Sequence, residues 1–144
     1  MKEVVFRGWC LAYDSEATER AYALARPVGP ELCGCRDCRN FVAAREVAYP
    51  ADLKDLAALV GVSPLTETEI CELGPATGDC TTPRIYAGFF HFVGSILDDP
   101  SQESEQVYFL SQRNLLPESF GSAPVVEVKF VLEVPWLLSE PPGA

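Results

Sequence analysis

Three cysteines fall within six residues in Cys33-Gly34-Cys35-Arg36-Asp37-Cys38. Thiolates are soft donors suited to zinc, which four ligands hold tetrahedrally in structural sites. In extended chain residues i and i+2 share a face, so Cys33 and Cys35 can aim at one point, with Gly34 free to take whatever dihedrals that needs. A two-residue turn through Arg36-Asp37 then brings Cys38 to the same point, as in one half of a zinc ribbon. At the start of a following helix, Cys38 would have its thiolate favoured by backbone N–H groups and the helix dipole.

The spacing therefore predicts three metal ligands, Cys33, Cys35 and Cys38, and leaves one corner to be filled. Cys80 is the first choice, because it lies in a polar loop rich in Gly and Pro and would complete an all-thiolate set. His91 and Cys71 are the alternatives, with Cys10 a fourth candidate. Cys10 and Cys71 lie in strand-like segments, where a cysteine is more often a small buried residue. His91 is the single histidine, flanked by Phe90 and Phe92, and reads first as a hydrogen-bonded core residue.

Two other readings compete with zinc: unliganded surface thiols with at most one disulfide, and redox chemistry at Cys35-Arg36-Asp37-Cys38. A C-x-x-C that opens a helix lowers one thiol pKa, and Arg36 and Arg39 add to that effect. A thioredoxin-like motif follows a buried strand, however, and here Ala25-Arg26-Pro27-Val28-Gly29-Pro30 precedes it. The chain has no G-x-S-x-G, Walker loop, G-x-G-x-x-G or H-E-x-x-H. Glu67, Glu69 and Glu72, and the pair Asp98-Asp99, read as solvated loop charges.

The elements that must position these residues come from a chain of 144 residues, 48% hydrophobic and 22% charged, enough for one core. One domain is expected over 1–138, with the Pro-rich 139–144 as a flexible tail. Val4 to Tyr13 reads as one opening strand. Asp14 or Ser15 caps a helix over Glu16 to Ala25, and a helix-compatible run extends from Phe41 to about Val47. After Pro50, Leu53, Leu56, Ala57 and Val60 recur at helical spacing until Gly61. One short edge strand fits Ile70 to Leu73. Ile85 to Leu97 reads as a central strand covered on both faces, with Val107 to Leu110 pairing back on it as a hairpin after a turn at Asp98 that Glu103 and Glu105 prolong. Val126, Val128, Phe130, Leu132 and Val134 alternate with Glu127, Lys129 and Glu133, which predicts a strand with one wet face. Trp136 to Leu138 folds back on the core. The expected class is α+β: a mostly antiparallel sheet of four to five strands with two to three short helices.

The segment Cys33-Gly34-Cys35-Arg36-Asp37-Cys38-Arg39-Asn40-Phe41, followed by Tyr86-Ala87-Gly88-Phe89-Phe90-His91-Phe92-Val93-Gly94, resembles a group of small bacterial proteins without known activity. These share a C-x-C-x-x-C-x-N-F segment and a later Y-x-G-x-x-H-x-V-G strand. The resemblance, over roughly residues 30 to 97, implies that Asn40 and His91 accompany the cysteines in one structural unit, with Asn40 orienting the cysteine loop through bonds to backbone.

The leading expectation is a non-enzymatic cytoplasmic binding or accessory protein whose cysteine loop is held by structural zinc. Its acidic surface suits a basic protein partner, including an inhibitor or immunity role. The alternative is a thiol- or metal-dependent enzyme using Cys35 or Cys38. The N-terminus has no signal-like apolar run, since Arg7 interrupts it, and Ile85 to Leu97 is too short and too polar to span a bilayer. Eleven Lys and Arg against 21 Asp and Glu leave a formal net charge of −10, which repels phosphate backbones and anionic membranes. The protein should therefore ignore nucleic acid. Fluorescence anisotropy with duplex and single-stranded DNA at physiological salt should stay flat, and a salt-sensitive rise would contradict the charge argument.

Overall fold

The computed structural model describes residues 1–78, 83–100 and 106–143. The order is β1 (Lys2–Phe6), β2 (Trp9–Tyr13), α1 (Ser15–Leu24), α2 (Pro30–Cys33), α3 (Arg36–Ala48), α4 (Ala51–Leu59), β3 (Glu69–Pro75), β4 (Arg84–Asp98), β5 (Val107–Leu110) and β6 (Val125–Val134), with one 3-10 turn at Glu118–Phe120. The α+β class holds. Among the described residues there are six strands rather than four to five, and four helices rather than two to three. The sheet runs β1-β2-β4-β6-β5, with β3 also on β4, and every pair is antiparallel.

The extra strand comes from the opening segment, which is a hairpin and not one strand. Phe6 pairs with Trp9, leaving Arg7-Gly8 as a two-residue turn with φ of 46° and 88°. That is the geometry of a type I′ turn, whose twist matches the strands it joins. Arg7 is held there by Asp52 of α4, Nε to Oδ2 at 2.7 Å, and by Gln106 ahead of β5. Phe6 and Trp9 reach Phe109 of β5 edge-on, at centroid distances of 5.7 and 5.2 Å. The two ends of the strand order thus meet through side chains, and the sheet curls around its core.

That core is lined by alternate residues of two strands: Tyr86, Phe90 and Phe92 from β4, and Val126, Val128, Phe130 and Leu132 from β6. Phe41 of α3 and Leu53, Leu56 and Ala57 of α4 cover it, the α4 residues being those its periodicity selected. Burying a side chain of this size is worth about 1.5–3 kcal/mol, so this layer is the main driving force for collapse.

β5 does not pair back on β4, because both edges of β4 are already taken. One edge carries β6 from Arg84 to Val93. The other carries β3 along Arg84 to Phe89 and β2 along Gly94 to Asp98, so β5 adds to the far side of β6 instead. The turn expected after Asp98 falls partly on residues 101–105, outside the described residues.

Between β3 and β2 the second edge of β4 has no strand beside it among the described residues, and α1 fills the gap with hydroxyls. The Tyr22 hydroxyl donates to the His91 carbonyl at 2.8 Å and accepts from the His91 N–H at 3.1 Å. The Thr18 hydroxyl accepts from the Val93 N–H at 2.9 Å, and the Asp14 N–H donates to the Val93 carbonyl. Of the two cap candidates, Asp14 is the one that caps α1, accepting from the Ala17 N–H. Removing one of these hydroxyls leaves a buried main-chain group unsatisfied, at a cost of about 1–3 kcal/mol. Thr18→Val and Tyr22→Phe should each destabilise the protein by that amount in urea denaturation, and an unchanged midpoint would show that the gap needs no filling.

Candidate metal centre

The three cysteines meet where two helices join. Pro30 starts the single turn of α2, and Cys33 is its last residue. Gly34 follows at φ 66°, ψ 8°, a left-handed conformation that closes the turn cheaply only for glycine. Cys35 is then extended and serves as the N-cap of α3, its Sγ accepting from the Cys38 N–H at 3.4 Å. The expected extended Cys33–Cys35 pair is thus replaced by a helix end, a left-handed glycine and a cap. The convergence itself is as expected, since the three sulfurs lie within 4.8 Å of one another. Tetrahedral zinc with Zn–S near 2.3 Å wants sulfurs roughly 3.8 Å apart, which side-chain rotation can reach from there.

Exposure and protonation divide the three. Cys33 and Cys35 are exposed, while Cys38 is buried among the side chains under α3. The Cys38 N–H and the neighbouring thiols hold the Cys35 thiol below its ordinary pKa, and burial followed by the Cys35 and Cys33 thiols pushes Cys38 up. The helix N-terminus therefore favours the thiolate of Cys35 and not that of Cys38, which corrects the sequence expectation. The helix begins at Arg36, so Cys35 caps it from outside while Cys38, three residues on, turns inward.

Polar contacts fix this corner to the rest of the protein. Tyr86 of β4 donates its hydroxyl to the Asp37 carbonyl at 2.8 Å. Arg45 of α3 bridges to Glu31 on α2 and to Glu67, which also accepts from the Tyr49 hydroxyl. Asn40 is fully buried, but its bonds go elsewhere than the cysteine loop: Nδ2 donates to the Pro135 carbonyl and Oδ1 accepts from the Leu137 N–H. The chain after β6 crosses the first turn of α3, where Arg39 pairs with Glu140 and Arg36 donates to the Pro141 carbonyl at 2.9 Å. Trp136 is half-buried in this segment and Leu137 is exposed.

Of the other ligand candidates, the described ones, Cys10, Cys71 and His91, do not join the sulfur group. Cys80 is outside the described residues. Cys71 is exposed on β3 with its Sγ directed to the Glu72 carbonyl, and Cys10 lies on β2. His91 is fully buried with both ring nitrogens engaged, Nδ1 3.0 Å from Thr68 Oγ1 and Nε2 3.1 Å from Glu127 Oε1. Among the described residues, Cys33, Cys35 and Cys38 form a metal-competent group without it.

Two of these partners contradict their sequence reading. Glu67 is fully buried between Arg45 and Tyr49, and Glu127, assigned to a wet face, is fully buried against His91 because the two stand opposite each other across β4 and β6. Glu72 is also largely covered and paired with Arg84 at 3.0 Å, whereas Glu69, Asp98 and Asp99 are exposed as read.

Burial is the largest influence on His91 and lowers its pKa from the ordinary value of about 6.5, with Glu127 opposing and Arg113 adding. In this direction the unfolded state binds the proton first, so stability is full above about pH 6.5 and falls as the pH drops towards the folded pKa. Wild-type urea midpoints should decline from pH 7 to pH 5, and more steeply than those of His91→Gln; parallel pH profiles would remove His91 as the cause. Compared with family profiles, with curated proteins and with solved structures, the chain gives no match in any of the three.

Proposed function

We propose that this chain is a zinc-stabilised binding or accessory protein of the cytoplasm, with a basic protein as its partner. The observation that carries the zinc reading is the convergence of three sulfurs at the α2–α3 junction. Zinc would tie α2 to α3 and neutralise thiolates that otherwise repel one another, with Cys80 kept from the sequence reading as the fourth ligand. His91 is set aside, since Thr68 and Glu127 occupy both its nitrogens. The five described cysteines are all free thiols, in keeping with a reducing compartment. Among the described residues no helix is long and apolar enough to cross a membrane. The partner's basic character follows from the net charge of −10, which would steer a positively charged surface towards the chain.

One observation favours a second reading, a thiol-dependent enzyme. Cys35 is exposed with a lowered pKa and has Cys38 beside it as a buried thiol, the division of labour found where one sulfur attacks and another resolves.

Elemental analysis of protein purified without added metal should find about one zinc per chain. Cys38→Ser should lower the melting temperature, because metal-binding free energy is part of folding free energy, and Cys10→Ser should cost much less. Metal-free protein that is indifferent to chelator and has Cys35 rapidly alkylated by iodoacetamide at neutral pH would move the assignment to the thiol enzyme.

A further inference from the structure

The three sulfurs all come from one stretch of six residues, so an ion satisfied by three thiolates needs nothing from a distant part of the chain. Zinc in a structural site takes four ligands. A trivalent group 15 ion differs, because its lone pair occupies the fourth direction and three sulfurs complete its shell.

Charge separates the two as well. Three thiolates on Zn²⁺ leave one negative charge and four leave two, whereas three thiolates on a trivalent ion leave a neutral centre. Cys38 is buried, and a net charge held partly out of water is costly unless it is paired. Of the two arginines on this turn, Arg39 has its charge paired with Glu140, which leaves Arg36, bonded to the Pro141 carbonyl, as the one charge there to balance an anionic centre. A neutral centre needs no such balance, and the exposed Cys33 and Cys35 give it an entrance.

We propose that Cys33, Cys35 and Cys38 form a three-sulfur site for a trivalent thiophilic ion of the arsenite class. The proposal rests on the cysteine group being an ion site and names the chemistry of the ion. Arsenous acid exchanges three As–O bonds for three As–S bonds, and each thiol proton leaves with one hydroxide as water. Arsenic stays in the +3 state, so no oxidant or reductant is consumed.

The test is titration of the full chain, reduced, with sodium arsenite, following free thiols and the near-ultraviolet absorption of arsenic–sulfur bonds, beside a parallel titration with zinc. One arsenic per chain should bind with the loss of three thiols. Cys33→Ser and Cys35→Ser, both exposed positions whose fold circular dichroism can verify, should weaken binding by about tenfold or more. Cys10→Ser, Cys71→Ser and Cys80→Ser should bind arsenite as the wild type does. Loss of only two thiols, wild-type affinity in Cys33→Ser, or a requirement for Cys80 overturns the trivalent site. If zinc then still binds at about one per chain, the zinc reading survives that failure; if neither ion binds, both readings fall.

Discussion

β4 is buried along much of its length, and each of its main-chain N–H and C=O groups needs a partner. This requirement organises the molecule. β6 satisfies one edge, while β3, two hydroxyls of α1 and β2 share the other. Because Thr18 and Tyr22 sit where a strand would, α1 lies across the gap and Asp14 makes the corner between β2 and α1, capping the helix and bonding to Val93 at once. The polar tyrosine and threonine are thus part of the sheet's hydrogen-bonding ladder, and their worth lies in the penalty that they prevent.

The candidate metal centre inherits its position from the same strand. Tyr86 lies with its ring in the core against Phe41 and its hydroxyl on the first turn of α3, so packing and hydrogen bonding locate the cysteines together. Arg45 adds a second tie, linking α2 to the buried Glu67. Such buried ion pairs contribute little net stability but are destabilising to break, which makes them better suited to fixing geometry than to holding the fold together. The loop thus has preset walls, and an ion would meet three sulfurs already close to one another.

The parts of this design legible in the sequence were those written in local pattern. The helix cap at Asp14 or Ser15, the α4 stripe and the apolar face of β6 depend on neighbours within a few residues, and Asp14, the stripe of Leu53, Leu56 and Ala57 and the buried valines of β6 are found there. The cysteine convergence was legible for the same reason, though its route was not, since a four-residue helix carries too few residues for a period to register. The Arg7-Gly8 turn was hidden because apolar residues flank it and neither Asn nor Asp announces it. Glu67 and Glu127 were misread because their partners, Arg45 and His91, lie 22 and 36 residues away. An acidic residue betrays its burial only when the register that supplies its partner is known.

The segment after β6 supplies the Pro135 carbonyl and the Leu137 N–H to Asn40 and bonds to Arg36 and Arg39. During synthesis this clamp emerges roughly a hundred residues after the first turn of α3 that it holds. β6, on which β4 and β5 both depend, emerges just before it, so two of the sheet's five strand pairings wait for β6. High sequence separation of this kind slows folding. Through that interval the first turn of α3, which carries Cys38, stands without the contacts of Pro135, Leu137, Glu140 and Pro141.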